Sequence, residues 1–368
     1  MSPVRVLVAP DSFKGTLDAA RVAWAVRRGW LSVRPEDEVR SLPLADGGEG
    51  SLEVLAAALE GSTLETVPLV HGPDGRPVDA QWLVSPDGTA VVELARSSGL
   101  PLMSRLDPLG AHTLGLGEVM RAAARDPRTR RLVVALGGSA STDGGTGALR
   151  ALGVSLLDAE GSRLPLGGGA LEDLAQVDTS ELVELPPVTC LVDVAAPLLG
   201  PTGAAAIFGP QKGAGTQEVE RLDAGLAHLA EVLDARALAS LPGSGAAGGT
   251  AFGLAAVLGA QVELGSARLA ELSGLERALG EADLVITGEG SFDAQSLGGK
   301  VVGEVLARAR RLGVPAAVLA GRVPEPELVP EVRTVSLVKK AGSEISALAE
   351  PERWAFVAAA ALAREWHV

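Results

Sequence analysis

Short apolar runs, each followed by a glycine-rich loop, occur at both ends of this chain and constrain its fold more than any other feature. The runs at 4–10 and 38–44 lead into DSFKG and ADGGEGS, and helices are predicted over 17–28 and about 51–59. Near the other end, 282–290 is predicted as a strand with its loop, and 314–321 and 332–338 are predicted as further strands. Strands that alternate with helices in this way are typical of an α/β fold with a doubly wound parallel sheet.

The first predicted helix, 17–28, has residues suited to each of its two ends. Thr16 precedes the helical spacing of apolar residues and is a suitable N-cap, and Asp18 lies in the first turn, where a carboxylate is favoured. Gly29 follows two arginines and is predicted to end the helix.

The middle of the chain follows a different pattern. Residues 65–95 contain three strand-like runs separated by HGPDGR and SPDG, which predicts an antiparallel meander. Further along, strands alternate with helices and glycine-rich loops. We therefore predict two domains: one formed by residues 1–63 and 268–368, and a mixed α/β domain, 64–267, inserted into it.

Composition excludes several classes of protein. The chain has 368 residues, a formal net charge of −14 and one cysteine, Cys190. The acidic balance argues against nucleic-acid or anionic-membrane partners, and one cysteine excludes an internal disulfide or a cysteine-based zinc site. Without a membrane-spanning apolar run or a signal-peptide pattern, a cytoplasmic protein is predicted. The oligomeric state stays open, with a homo-oligomer as one alternative.

Lysine is rare in this chain. Of its 32 lysine and arginine residues, five are lysines. Lys14, Lys212 and Lys300 lie in polar segments that contain glycine, whereas Lys339 and Lys340 are adjacent and typical of a solvated surface. An ammonium group is a compact charge on a flexible stem, which a planar guanidinium cannot replace in a tight loop. The first three lysines are therefore predicted to contact phosphate, the alternative being chance in a small number.

The glycine-rich loops carry the residue types of a phosphoryl-transfer site. Backbone N–H groups of such loops bind phosphate oxygens, lysines neutralise charge, and carboxylates hold Mg²⁺. Taken singly the motifs are weak, since DGGEG could be a solvated turn and the acids of TGEGSFD could favour a helix dipole. The residues predicted to bind substrate or phosphate are Ser12, Lys14, Gly47, Gly48, Gly137, Gly138, Ser139, Lys212 and Lys300. The predicted metal ligands are Glu49, Glu289 and Asp293.

Five segments, taken in order, resemble the bacterial glycerate kinase family of the two-domain type. They are APDSFKG, PLADGGEGS, GGSASTDGGTGALRALG, GPTGAAAIFGPQKGA and DLVITGEGSFDAQSLGGKV, between residue 9 and about residue 302. The resemblance implies a flavodoxin-like domain interrupted by a second α/β domain, and ATP-dependent phosphorylation of D-glycerate with Mg²⁺. The chain departs from the family pattern at Ser291-Phe292 and at Gly298, so these positions receive no role.

The resemblance also suggests catalytic residues. Asp46 and Asp193 are candidates to orient the attacking hydroxyl or accept its proton, and Lys14 is a candidate ligand for the carboxylate of glycerate. The family favours 2-phosphoglycerate as the product, although the sequence does not choose between the 2- and 3-hydroxyl. Two alternatives are a kinase for a related small hydroxy acid and a non-catalytic protein that binds a sugar acid or another anion.

Overall fold

The structure is a computed structural model that describes residues 3–13 and 15–366. Its strands are β1 (Arg5–Val8), β2 (Glu38–Ser41), β3 (Thr63–His71), β4 (Pro77–Val84), β5 (Thr89–Glu93), β6 (Arg131–Ala135), β7 (Ser155–Leu157), β8 (Gln176–Asp178), β9 (Val188–Val192), β10 (Gln261–Leu264), β11 (Leu284–Ser291), β12 (Ala316–Arg322) and β13 (Arg333–Ser336).

The α-helices are α1 (Ala19–Leu31), α2 (Ser51–Ala58), α3 (Ala95–Ser98), α4 (Leu114–Arg125), α5 (Thr146–Ala151), α6 (Ala204–Phe208), α7 (Thr216–Val232), α8 (Arg236–Ala239), α9 (Ala246–Leu258), α10 (Gly265–Leu272), α11 (Leu275–Gly280), α12 (Val301–Leu312), α13 (Leu337–Ala341), α14 (Glu344–Ala349) and α15 (Pro351–Glu365). Short 3-10 helices span Leu100–Leu102, Gly168–Asp173, Pro210–Lys212 and Ala294–Leu297. None of the helices built from the described residues combines the length and the apolar character needed to cross a bilayer.

Packing of the backbone divides the chain into two compact units. Unit 1 consists of Met1–Asp46, Glu53–Leu59 and Ser266–Val368, and unit 2 consists of Gly47–Leu52 and Glu60–Gly265. The segment Gly47–Leu52 therefore packs with unit 2, although the sequence pattern placed it in the first domain. The predicted domains, 1–63 with 268–368 and 64–267, stay a prediction, because packing does not show which segments fold on their own.

Unit 1 contains a five-stranded sheet in the order β2-β1-β11-β12-β13, and all of its strand pairs are parallel. Counted along this unit alone, that order is 2-1-3-4-5, the flavodoxin-like arrangement. Alternate residues of β1 face opposite sides, as a strand's period of two requires. Val6 and Val8 pack in a cluster with Trp30 of α1, while Leu7 packs in a cluster with Val305 of α12.

Unit 2 contains a six-stranded mixed sheet in the order β10-β9-β6-β5-β4-β3. Strands β3, β4 and β5 pair antiparallel and correspond to the predicted meander, whereas β5, β6, β9 and β10 pair in parallel. A separate antiparallel pair joins β7 to β8. The predicted class, an α/β fold with a flavodoxin-like parallel sheet interrupted by a mixed α/β portion, is confirmed.

Helix α1 differs from its predicted ends. Its N-cap is Asp18, whose carboxylate accepts a hydrogen bond from the N–H of Arg21 at 2.8 Å, so the expectation that Thr16 caps the helix is wrong. Gly29 lies inside the helix and does not end it. A Cβ at this position would lie 2.2 Å from the carbonyl oxygen of Phe356 in α15, so glycine is required for the close packing of these two helices.

A buried ionic cluster joins the end of α1 to the start of β1. Asp37 accepts hydrogen bonds from Trp30 Nε1 at 2.8 Å, from Arg34 Nε at 2.6 Å and from the backbone N–H of Val4 at 3.1 Å. Both side chains of the Arg34–Asp37 pair are nearly inaccessible to solvent. Removing one partner of such a pair leaves a charge buried without compensation, which is strongly destabilising.

We therefore expect Asp37→Ala to lower the free energy of unfolding by about 3 to 5 kcal/mol. Chemical denaturation measures this change. Asp37→Asn keeps one oxygen acceptor, which can serve either Val4 or Trp30, and should be less destabilising. A free energy for the alanine variant within about 1 kcal/mol of the wild type would contradict a structural role for this cluster.

Candidate active site

The carboxyl ends of the parallel strands in unit 1 open into a cleft with a volume of about 320 Å³. Parallel strands end at one edge of a sheet, so residues far apart in sequence meet there. Of the residues predicted from the sequence, the cleft is lined by Ser12, Asp46, Glu289, Asp293 and Lys300. These five come from the ends of β1, β2 and β11 and from the start of α12.

Asp11 also lines this cleft and was missed by the sequence analysis. It is 6 % exposed, its N–H donates to the carbonyl of Gly288 at 2.8 Å, and its carboxylate accepts from the N–H of Ser12 at 2.6 Å. The signal that could have identified it is its position directly beyond β1, which matches the position of Asp46 beyond β2.

Asp293 has a local structural role in addition to lining the cleft. Its carboxylate accepts from the N–H of Gln295 at 3.0 Å, while its own N–H donates to Ser296 Oγ at 3.0 Å. This reciprocal capping box begins the 3-10 helix Ala294–Leu297. Asp293 therefore has the helix-start role noted as the alternative for TGEGSFD, and its assignment as a metal ligand stays a prediction.

Carboxylate oxygens in the cleft fit a magnesium ion by chemistry. Among residues 3–13 and 15–366, no three His, Cys, Asp or Glu side chains are arranged to hold a metal by themselves. Mg²⁺ in phosphoryl-transfer sites takes one or two protein carboxylates and completes its octahedron with phosphate oxygens and water. Asp11, Asp46 and Glu289 meet that smaller requirement. Glu49 is exposed in unit 2, so its assignment as a metal ligand stays a prediction.

In unit 2, the loop formed by residues 47–52 meets the loop that follows β6. A Cβ at Gly137 would lie 2.3 Å from the Cα of Gly48, so the two backbones approach more closely than any side chain allows. Gly47 has φ +94°, a conformation that favours glycine. The structure thus brings Gly48 of DGGEG against Gly137 of GGSAS, and Gly138, the next residue, has φ +71°. These positions require glycine for steric reasons.

A buried carboxylate from β5 holds the loop of residues 47–52. Glu93 is 1 % exposed and accepts from the N–H of Gly50 and from the N–H of Leu52, each at 3.1 Å. Burial raises the pKa of Glu93 above its ordinary value, although the backbone N–H groups oppose this shift. These two hydrogen bonds fix the conformation of the loop, a feature that the alternative of a solvated turn for DGGEG did not include.

A second buried carboxylate, Asp143, organises the loop that follows β6. It is fully buried and accepts hydrogen bonds from Thr113 N–H and Oγ1, from Ser141 Oγ, and from the N–H groups of Gly145 and Gly147. Their donor–acceptor distances lie between 2.8 and 3.2 Å. The hydroxyl of Ser139 donates within the same loop, to the carbonyl of Ser141 at 3.2 Å. Sequence analysis missed Asp143, although an aspartate among Ser, Thr and Gly is typical of such loops.

Lys212 packs against this loop in unit 2. It is 2 % exposed, and its Nζ donates to the carbonyl oxygen of Ser141. Burial lowers the pKa of Lys212 to about 8, while the charge of Asp143 partly opposes that shift. Thr142 Oγ1 is also buried there and makes no hydrogen bond with the described residues. Lys212 is therefore buried rather than solvated, and its predicted contact with phosphate stays a prediction.

Two further residues, Asp193 and Lys14, are predicted to be catalytic. Asp193 follows β9 in unit 2 and is exposed. Lys14 lies outside the described residues. Their roles stay predictions.

The profile of the glycerate kinase family matches residues 6–367. The chain belongs to the glycerate kinase family. It is 43 % identical over 333 residues to the glycerate kinase of Bacillus subtilis (strain 168), which covers 87 % of this chain and 85 % of the relative. It is 38 % identical over 363 residues to the glycerate 2-kinase of Escherichia coli (strain K12), with 96 % and 94 % covered.

A solved structure agrees with this assignment. The crystal structure of a chain described as glycerate kinase 2 from Salmonella typhimurium LT2 has a TM-score of 0.81 and 35 % sequence identity, covering 99 % of this chain and 98 % of that one. The predicted resemblance and the predicted enzyme class, a phosphotransferase that phosphorylates glycerate, are confirmed.

The buried ammonium of Lys212 leads to a prediction about pH. Because its pKa is about 8, Lys212 loses its charge as the pH rises through that value, and kcat/KM should fall above pH 8 if the charge contacts an anionic group. Lys212→Met should lower kcat/KM by roughly 100-fold. Lys212→Arg stays charged, so its profile should lack the fall above pH 8, whatever its absolute rate.

Exposed Lys339 provides the matched control, since Lys339→Met removes a charge of the same kind from a solvated position. Melting temperatures identify variants that fail to fold. A methionine variant at 212 with wild-type kcat/KM would rule out a functional ammonium.

The raised pKa of Glu93 gives a second prediction. The folded protein binds the Glu93 proton more tightly than the unfolded chain, so the contribution of Glu93 to stability is complete below pH 4.5 and declines as the pH rises towards the raised value. Glu93→Gln removes this titration. Relative to the wild type, the variant should therefore gain unfolding free energy as the pH increases from 4.5.

Urea denaturation of both proteins at several pH values measures the difference. Exposed Glu36 supplies the control, because Glu36→Gln removes a carboxylate from a solvated position. Parallel pH profiles for the wild type and Glu93→Gln would contradict the buried-carboxylate account.

Proposed function

We propose that the protein transfers the γ-phosphoryl group of ATP to the 2-hydroxyl of D-glycerate in the presence of Mg²⁺. Family membership establishes a kinase that acts on glycerate, and the donor, the metal, the configuration and the position of the hydroxyl belong to the proposal. The observation that carries it is the cleft of unit 1, in which carboxylates and Lys300 line one edge of a parallel sheet. The name of the E. coli relative, glycerate 2-kinase, supports the 2-hydroxyl.

The residues of the cleft supply the groups that phosphoryl transfer requires. Asp11 and Glu289 offer oxygen ligands for Mg²⁺, which would neutralise phosphate charge when it is bound. Lys300, at the N-cap position of α12, contacts a phosphate oxygen as a point charge. The hydroxyl of Ser12, which also lines the cleft, is a further donor that orients the phosphate chain. Enzymes of this kind gain their rate mainly from positioning and electrostatic stabilisation.

The reaction needs a group that receives a proton. The oxygen of the 2-hydroxyl forms a bond to the γ-phosphorus, the bond between that phosphorus and the β–γ bridging oxygen breaks, and ADP leaves. Asp46, 6 % exposed at the edge of the sheet, is our candidate to orient this hydroxyl and take its proton. Asp193 stays the alternative base, and Lys14 stays the proposed ligand of the glycerate carboxylate.

The loops of unit 2 suit an anion. The backbone N–H groups of Gly47, Gly48, Gly137, Gly138 and Ser139 supply donors, and buried Lys212 supplies a positive charge close to its loop. We propose that these groups bind oxygen atoms of the substrate or of the transferred phosphate. Glu49 is kept as a proposed metal ligand on the same loop. A cytoplasmic location and the absence of nucleic-acid and membrane partners remain predictions from composition.

Phosphorus NMR of a mixture of protein, ATP, D-glycerate and Mg²⁺ tests the proposal directly. A phosphate on the 2-oxygen couples to one carbon-bound proton and gives a doublet, whereas a phosphate on the 3-oxygen couples to two and gives a triplet. We expect a doublet that grows with the ADP signals. Omitting Mg²⁺ should stop turnover, and Asp46→Asn should slow it by roughly 100-fold or more.

Each alternative has its own outcome. A triplet would assign the 3-hydroxyl, and rapid turnover with L-glycerate or another hydroxy acid but not with D-glycerate would indicate a kinase for a related substrate. Binding of D-glycerate without any phosphorylated product would indicate a non-catalytic protein and overturn the proposal.

A further inference from the structure

The lining of the cleft in unit 1 changes from polar to apolar along the edge of the sheet. Beyond β2, β1 and β11, the lining contains Asp46, Asp11, Ser12, Glu289 and Asp293. Beyond β13, it is formed by an apolar wall, which consists of Leu337, Val338, Ala347, Leu348 and Pro351. The first part suits phosphate and a cation, but the second part offers side chains with no hydrogen-bonding group.

The strand order determines how far apart these two parts lie. In the order β2-β1-β11-β12-β13, strand β13 is the third neighbour of β1. Neighbouring strands are separated by about 4.8 Å, so the ends of β1 and β13 are separated by about 14 Å along the edge. A ligand that contacts both parts must therefore be long, with one charged end and one apolar end.

Glycerate does not match the apolar wall. It has three carbon atoms, and each carries oxygen, so it gains nothing from contact with leucine, valine and proline side chains. The cleft volume, about 320 Å³, lies within the range of about 300 to 1,000 Å³ that is usual for larger ligands. A nucleoside triphosphate has both the length and the asymmetry that the lining requires.

We propose that the base of the nucleotide packs against the apolar wall while its phosphates extend along the sheet edge towards Ser12 and Lys300. This inference rests on the proposed function, because it locates the phosphate donor of that reaction within unit 1. The wall comes entirely from residues 337–351, which the five family-like segments do not include. It therefore adds a nucleoside subsite that no loop motif of the chain indicates.

An ion pair between the two parts provides a polar group for the ribose. Arg322, at the end of β12, and Glu344, at the start of α14, both line the cleft and lie 3.2 Å apart. Each side chain remains more than half exposed, at 59 % and 52 %. The Glu344 carboxylate can accept hydrogen bonds from ribose hydroxyls, as an acidic residue does in other nucleotide sites.

Helix α14 provides a test residue and a matched control. Leu348 lines the cleft and is 55 % exposed, whereas Ile345 is 83 % exposed on the same helix and is not part of the lining. Replacing either by glutamine exchanges an exposed apolar side chain for an uncharged polar one that is equally suited to a helix. Neither change should disturb folding, and the melting temperature verifies this.

Titration calorimetry with ADP and with pyrophosphate, each in the presence of Mg²⁺ and without glycerate, measures the nucleoside contribution separately. We expect the wild type to bind ADP more tightly than pyrophosphate. Leu348→Gln should weaken ADP binding by about tenfold and leave pyrophosphate binding unchanged, because one apolar contact is lost from the base alone. Ile345→Gln should bind both ligands as the wild type does.

The outcomes separate this inference from the proposed function. If the wild type turns over ATP and D-glycerate but Leu348→Gln binds ADP with unchanged affinity, the nucleoside does not contact the wall and the inference is wrong. If Leu348→Gln raises the KM of D-glycerate and not that of ATP, the wall belongs to the acceptor site, which also overturns it. If the wild type binds ADP no more tightly than pyrophosphate, there is no nucleoside subsite.

Discussion

The parallel direction of the strands in unit 1 is the constraint on which the site depends. Since β1, β2 and β11 all run the same way, the segments that leave them emerge at a single edge. Asp11 and Asp46 are separated by 35 positions in sequence, and Glu289 lies more than 240 positions after Asp46, yet all three line one cleft. An antiparallel arrangement of the same strands would place the central segment at the opposite edge and separate the carboxylates. The acidic lining is thus a consequence of topology rather than of any local motif.

The glycine-rich loops of unit 2 contain many backbone N–H groups but few side chains. Buried N–H groups require acceptors, and glycine residues have no side chain that could supply them. Two buried carboxylates fill this need: Glu93 for the loop of residues 47–52, and Asp143 for the loop after β6. Each accepts hydrogen bonds from two backbone N–H groups of its loop, which fixes the conformation of the loop.

Much of the fold could be predicted from the sequence, because buried parallel strands and amphipathic helices have local patterns. The apolar runs at the two ends of the chain predicted the strands of the five-stranded sheet. The turn sequences after residue 65 predicted the antiparallel meander. Partners distant in sequence were not predictable. Glu93 follows Leu52 by 41 positions, and the reason for Gly29 lies in α15, more than 300 positions away. The predicted strand 332–338 was too long, since Leu337 and Val338 belong to α13, and this error concealed part of the apolar wall.

The burial of Lys212 offers a physical reason why this position is a lysine in a chain that contains few lysines. Lowering its pKa from 10.5 to about 8 corresponds to about 3 kcal/mol of bias against the charged form. At neutral pH the ammonium is still mostly protonated, so the folded protein without ligand retains most of that unfavourable energy. An anion bound beside Lys212 would stabilise the charge and raise its pKa, and by linkage a raised pKa means tighter binding of the anion. Part of the binding energy would therefore come from relieving a cost that folding has already imposed. A solvated arginine, whose charge is not disfavoured in the free protein, could not supply this contribution, which gives a reason for a chain so rich in arginine to use lysine at this buried position.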